Sequence, residues 1–292
     1  MSEKVSKKTS ENKRKNPQRK LQVSNGHYLD LDQLARLMIT VKNNEASSLS
    51  LDGLAEETGL PRRQVRNRIS IGRAIGVFNR ASFSLTEFGS FVAEYDQFFD
   101  AEATLELVHY RAASTYENLI WYELFNTFAV EQDVFASQGL LDFFRETLEG
   151  LYSKESLTKH VRKELRFLLD AYTGDKLKRL EVLLETSDGR YMRGRHRLTN
   201  PLVAAAIIYR YCEAMNRHVC SIDELCGEKG APGLLFGMSR AGLREMVEGL
   251  HEMRWVRYET THSLDQIRLI SGFDSMEFTR ACYEGRSPNS NE

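Results

Sequence analysis

The chain has 292 residues with 40 basic and 41 acidic side chains, a formal net charge of −1, and 41% hydrophobic and 28% charged content. That length holds one large domain or two to three small ones, with enough apolar residues to bury a core. No apolar run reaches the length of a bilayer span and the N-terminus is polar, so neither a signal peptide nor a membrane anchor is expected, and the expected location is cytoplasmic. Cys212, Cys220, Cys226 and Cys282 are too few and too loosely spaced for a disulfide scaffold, in keeping with a reducing compartment.

The near-neutral sum hides an uneven distribution. Residues 1–80 carry 16 Lys or Arg against 8 Asp or Glu, and the remainder carries 24 against 33. Fields act locally, so a basic front that meets nucleic acid and an acidic body that does not are the expectation. Residues 1–24 are Lys-, Ser-, Asn- and Gln-rich with almost no apolar content. They read as a disordered basic tail, either a phosphate-contacting arm or a solubilising segment. Residues 28–41 place Leu31, Leu34, Ala35, Met38 and Ile39 on one face, which predicts a first helix.

Residues 51–80 carry the pattern of a helix-turn-helix. Leu51, Leu54 and Ala55 form a short apolar face, Gly59 supplies the turn, and Pro61 opens the second helix as its first residue. Val65, Ile69 and Ile75 give that helix a buried stripe; Arg62, Arg66, Ser70 and Arg73 recur on the other side, with Arg63 and Asn67 beside them. From 59 to 80 there are six arginines and no acid. Phosphates and guanine edges require such a surface, so the candidate DNA contacts are Arg62, Arg63, Gln64, Arg66, Asn67, Arg68, Ser70, Arg73 and Arg80, with Gln64 or Asn67 for adenine. A merely solvated arginine face is the plainer alternative. Residues 78–85 alternate as a two-stranded wing, and Thr86 caps a helix over 87–95 with Phe88, Phe91 and Val92 facing inward.

The middle reads as helices over 102–113, 117–128, 140–150 and 156–172. Its aromatic stripe of Trp121, Tyr122, Phe125 and Phe128 suits a core better than a ligand box. Residues 190–197 are a second basic cluster in a Gly-containing loop or short hairpin, making Arg190, Arg193, Arg195 and Arg197 secondary candidates for phosphate. Pro201 opens an apolar helix, Ser221 and Ser239 cap two more, and residues 255–258 and 266–270 alternate as a second wing-like hairpin. A Gly/Pro insertion over 227–237 interrupts this second unit. Its Arg240 and Arg244 are accompanied by Glu245 and Glu248, which fits packing or protein contact better than DNA.

Signatures of catalysis are weak. There is no Walker loop, dinucleotide glycine fingerprint or zinc-protease motif. Cys212, His218, Cys220 and Cys226 lack the paired knuckles of structural zinc sites and read as buried free thiols. His109 reads as a hydrogen-bonded core histidine. Asp96, Asp100, Glu102 and Glu106 form an acidic cluster, for which a metal site competes with the ordinary preference of helix starts for acids. No nucleophile is paired with a base, so no enzyme, cofactor or metal is expected.

Several stretches resemble an uncharacterised bacterial family found beside DNA phosphorothioation and phage-exclusion genes, often next to a sulfate-reductase-like sulfurtransferase. They are Tyr95 and Asp96 with residues 102–105, Val108 with His109, Trp121 with Tyr122, and Phe125 with Asn126. Further on come Ser156, Leu157, Lys163, Leu165, Ala171 and Tyr172, then residues 231–236 with Leu243, Leu250 and residues 264–267. The resemblance spans residues 26–270 and leaves the basic tail outside. Of the family's opening Gly-His followed by Thr-Phe and an arginine, only Gly26 and His27 are present. The resemblance implies a genomic-defence setting with a DNA-directed accessory protein.

The expected fold is mainly α, with winged helix-turn-helix units at both ends of a helical middle. Its parts are a tail at 1–24, an N-terminal winged unit at 25–96, a helical middle at 97–200, a C-terminal winged-helix-like unit at 201–282 and a tail at 283–292. The expected function is a non-catalytic DNA-binding component of a bacterial DNA-modification or anti-phage system. Its partners would be double-stranded DNA, other proteins of the complex and, in one variant, a second copy. The alternatives are a dimeric regulator of its own operon, an assembly subunit that uses winged helices for protein docking and, behind these, a nuclease using the acidic cluster of Asp96, Asp100, Glu102 and Glu106.

Overall fold

The computed structural model describes residues 19–24, 27–44, 49–261 and 264–288; residues 1–18 of the expected basic tail lie outside them. Four helices open the chain. In α1 (Leu31–Asn43) the Asp30 carboxylate accepts the Gln33 amide at 2.9 Å, and in α2 (Leu51–Thr58) Ser50 Oγ accepts the Gly53 amide at 3.1 Å. Gly59 ends α2 at φ +66°, a left-handed position that glycine enters without strain. Helix α3 (Arg62–Ala74) starts one residue later than expected, with Pro61 as the flanking residue; α4 (Glu87–Tyr95) starts at Thr86 as expected.

Between α3 and α4 the expected two-stranded wing shrinks to one bridge, Phe78 opposite Leu85. Two backbone bonds, Asn79 N to Ser84 O and Thr86 N to Val77 O, both at 3.0 Å, cross the loop, and side chains add to them. Arg73 donates to the carbonyls of Asn79 and Ser82, both at 3.0 Å, and Asn79 Nδ2 donates to Ser84 Oγ and Leu85 O at 2.8 Å.

The middle begins with α5 (Glu102–Ser114), buried along most of its length, including the polar Glu106, His109 and Arg111. Next come α6 (Leu119–Glu123), a π-helical stretch over Leu124–Phe128, and α7 (Ala129–Glu131), so the expected helix over 117–128 exists with a π-helical insertion. They are followed by β1 (Val134–Phe135), α8 (Ser137–Thr147), a second π-helical stretch (Ser156–His160) that runs into α9 (Val161–Thr173), and a 3-10 turn (Lys176–Leu180). Strands β2 (Leu183–Glu185) and β3 (Tyr191–Arg193) complete an antiparallel sheet of order β1-β3-β2, with Met192 opposite both Val134 and Leu184. The expected loop or short hairpin over 190–197 is, in part, strand β3, which pairs with residues 183–185 upstream of that stretch and with β1.

The last third holds α10 (Pro201–Ala214), β4 (Val219–Ser221), α11 (Ile222–Gly227), α12 (Pro232–Leu235), α13 (Arg240–Glu252), β5 (Val256–Glu259), β6 (Gln266–Leu269) and α14 (Ser275–Glu284). Its sheet has the order β4-β6-β5, all antiparallel. Ser221 and Glu224 form a reciprocal capping box on α11, and α12 folds the Gly/Pro insertion back onto α5. Helix α14 packs on α10 and reaches α4, where Arg280 pairs with Glu87 at 2.5 Å. The protein is therefore mainly helical with two small antiparallel sheets. One apolar core runs from Val23 to Phe278, and no helix among the described residues is long and apolar enough to cross a membrane.

Two expected boundaries do not coincide with the packing. Residues 19–24, assigned to the tail, lie against the body: Val23 is buried, and Glu164 of α9 accepts the amides of Val23 and Ser24 at 2.8 and 2.7 Å. The expected tail from 283 begins inside α14.

Deep in the middle, Trp121 Nε1 donates to Tyr172 Oη at 2.8 Å, and Tyr172 Oη lies 2.6 Å from His109 Nδ1. His109 Nε2 lies 3.2 Å from the Leu235 carbonyl, which can only accept. The proton therefore sits on Nε2 and Nδ1 accepts from Tyr172. Burial holds the His109 pKa down at about 3, so the ring is neutral. This is the core histidine that the sequence suggested.

Candidate nucleic-acid interface

Helix α3 divides into two halves. Arg62, Arg63 and Arg66 are exposed, with Gln64 and Arg68 half-buried, whereas Ile69, Ser70, Ile71, Gly72 and Ala74 are all buried. The apolar stripe explains Val65 and Ile69. On the opposite side, residues 19–24 lie against Ser70. Ser70 Oγ donates to Val23 O at 2.7 Å, and Lys20 Nζ donates to Ser70 Oγ at 2.5 Å. Ser70, expected on the free face, is therefore buried with its hydroxyl engaged inside the protein. Asn67 is 3% exposed, with its side-chain nitrogen enclosed and unpaired, so it presents nothing to a groove either.

The arginines separate in the same way. Arg62 pairs with Asp52 of α2 at 3.1 Å across the turn while remaining well exposed. Arg63 and Arg66 pair with no carboxylate among the described residues. Arg68 Nη1 donates to Gln64 Oε1 at 3.3 Å; burial, followed by the Arg36 charge, pulls its pKa down against the pull of Asp30. Arg73 is committed to the loop carbonyls, and Arg80 pairs with Glu117 at 3.0 Å. Of these candidates, the exposed arginines free of such commitments are thus on the first two turns of α3.

Two neighbours escaped the sequence reading. Arg36, exposed on α1, is close enough to act on Arg68. His27 lies beside Arg63 and Arg68; burial and those two charges lower its pKa, so it adds a neutral ring to the patch near pH 7. Arg36 stands on the polar face of a helix with no basic cluster of its own, so only the tertiary fold reveals it.

The second basic cluster is mostly spent on internal contacts. Arg190 pairs with Asp188 at 2.7 Å, Arg197 pairs with Glu245 at 2.7 Å, and Arg193 donates to Leu234 O at 2.5 Å. Arg195 alone of the four is exposed without an ion pair among the described residues. On α13 the arginines are neutralised. Arg244 and Arg240 reach Asp265 at 2.6 and 2.8 Å, and Tyr258 donates to it at 2.7 Å. These bonds, Arg244 foremost, hold the Asp265 carboxyl far below the usual carboxylate range.

The acidic cluster read from the sequence comes apart. The Asp96 carboxylate accepts the amides of Asp100 and Ala101, and Asp100 pairs with Lys176 at 3.0 Å. Glu102 and Glu106 instead meet His196, which lies 90 residues away from Glu106 in the chain. Cys212 and Cys220 are adjacent free thiols, with Sγ atoms 3.1 Å apart.

Fold and site together define a mainly helical protein whose α3 begins with an exposed cationic surface. The chain belongs to the family described as protein of unknown function (DUF4007), whose model matches residues 72–283. That match begins after the exposed arginines of α3 and includes Glu102, Glu106 and His196. Two solved structures share the fold. A magnesium ion-bound SspB crystal structure is 15% identical with a TM-score of 0.73, covering 89% of this chain and 86% of that one. An SspB crystal structure is 16% identical with a TM-score of 0.71 and the same coverage. A comparison with curated proteins finds none that matches.

Proposed function

We propose that this protein is a non-catalytic DNA-binding component of a bacterial DNA-modification or anti-phage defence system, with the first two turns of α3 laid against duplex DNA. The observation that carries the reading is the contrast between helices α3 and α13. Arg63 and Arg66 of α3 have no carboxylate partner among the described residues, whereas Arg240 and Arg244 of α13 are held by Asp265. Unpaired guanidiniums at a helix start are free to take phosphate or a guanine edge, and the positive end of the helix dipole adds to their field. Arg62, Gln64 and Arg68 flank them, and Arg36 widens the patch.

Both ends are read as winged-helix units. The support at the C-terminus is the connectivity β4–α11–α12–α13–β5–β6, in which α12 interrupts the helix pair, with sheet order β4-β6-β5; at the N-terminus it is α1–α3 followed by a loop with one bridge. The α13 unit and the acidic body then serve protein partners. The defence setting rests on the family resemblance.

Fluorescence anisotropy with random and operon-upstream duplexes tests this reading. The Arg63→Glu/Arg66→Glu variant should lose at least about tenfold in affinity at low salt, equally on both duplexes. Arg190→Glu/Arg197→Glu should stay near wild type, because both arginines already hold acids. Equal binding by wild type and the α3 variant, or no binding by wild type, overturns the assignment. A strong preference for the upstream duplex favours the operon regulator.

A further inference from the structure

We propose that Glu102, Glu106 and His196 form a binding site for one divalent transition-metal ion, independent of the DNA surface. The two carboxylates lie one helical turn apart on the same face of α5. His196 arrives from the segment between β3 and α10. Its Nε2 lies 2.7 Å from Glu106 Oε1 and 3.9 Å from Glu102 Oε1, and one donor atom from each of the three residues falls within 4.8 Å of the others.

The site is built rather than incidental. Gly194 sits so close to the preceding turn that a Cβ there would lie 1.7 Å from Glu181 O, so the backbone leading into His196 is fixed. The His196 amide donates to Phe236 O at 2.8 Å, and its ring packs against Phe236. The Glu106 side chain is 2% exposed and that of His196 8%, while the Glu102 side chain is 49% exposed and opens the site to solvent.

The charges are unbalanced. Two carboxylates at this spacing repel each other, and no Lys or Arg among the described residues forms an ion pair with either. One imidazole cannot offset both, whereas a divalent cation can, with two oxygens and one nitrogen as its protein ligands and its remaining positions open toward Glu102. Magnesium and calcium favour all-oxygen sets, so an imidazole beside two carboxylates points to manganese, iron, cobalt or zinc.

Cobalt(II) is the probe. Titration of the full chain should give visible d–d absorption that saturates at one equivalent, is displaced by zinc and is unaffected by excess magnesium. Glu102→Gln, at an exposed position that carries no packing, should weaken binding at least about tenfold while leaving the far-UV circular dichroism unchanged. His196→Asn should abolish the spectrum. The assignment is overturned by Cobalt(II) binding equally to wild type and Glu102→Gln, by an intense thiolate charge-transfer band indicating the cysteines, or by no saturable binding at micromolar metal.

Discussion

His109 should make the protein acid-sensitive by a calculable amount. In an unfolded chain its imidazole titrates near 6.5, whereas in the fold burial holds it near 3. The unfolded state therefore takes up a proton first as pH falls. The stability associated with the neutral ring is fully present above pH 6.5 and is lost progressively on the way down to about pH 3. The loss accrues at about 1.4 kcal/mol per pH unit once below 6.5. Between pH 7 and pH 5 the ring alone then removes about 2 kcal/mol, a large share of a typical folding free energy. His109→Gln keeps a donor for Leu235 O and an acceptor for Tyr172, and removes the titration. Urea unfolding of both proteins at pH 7 and pH 5 isolates the effect, because the other titrating groups, including the raised carboxyls of Glu106 and Glu164, are common to both. The wild type should lose about 2 kcal/mol more than the variant over that interval. An equal pH dependence in the two would mean that His109 is not held neutral by burial, and the core assignment would fall.

Other consequences follow from single contacts. Glu164→Ala removes the acceptor for the Val23 and Ser24 amides, so residues 19–24 should detach and trypsin should cleave at Lys20 faster than in wild type. Stability should fall by about 1–3 kcal/mol, and an unchanged cleavage rate would contradict the strap. Gly194→Ala drives a methyl into Glu181 O and should cost about 1–3 kcal/mol by thermal unfolding, along with the cobalt signal; a neutral result would show that the β3–α10 segment is not fixed.

Local signals in the sequence carried the helices well. Ser50, Thr86, Ser221 and Ser239 each cap a helix through a side-chain oxygen, and that chemistry is written within four residues. The turn at Gly59 is legible for the same reason. What stayed hidden depends on residues far apart in the chain. The period of α3 marks Asn67 and Ser70 as free-face positions, but both are buried, Ser70 against the 19–24 segment, and a tail rich in Lys and Ser gives no sign that Val23 will be buried. The engagement of Arg73, expected to face phosphate, with the carbonyls of Asn79 and Ser82 was hidden too, because no side-chain pattern announces such partners. Glu102 and Glu106 were noticed, but their pairing with His196 exists only after β3 has been laid beside β1. The π-helical stretch Leu124–Phe128 also leaves no clear mark on a periodicity judged by eye.

The salt dependence of duplex binding tests the central claim most directly, since each phosphate neutralised by the protein contributes about 0.9 to the slope of log affinity against log salt. The account predicts that Arg63→Glu/Arg66→Glu makes the slope shallower by about two such increments, roughly 1.8. Arg73→Ala should leave it as in wild type. An unchanged slope in the α3 variant, or a loss of slope in Arg73→Ala instead, would place the DNA surface elsewhere on the protein.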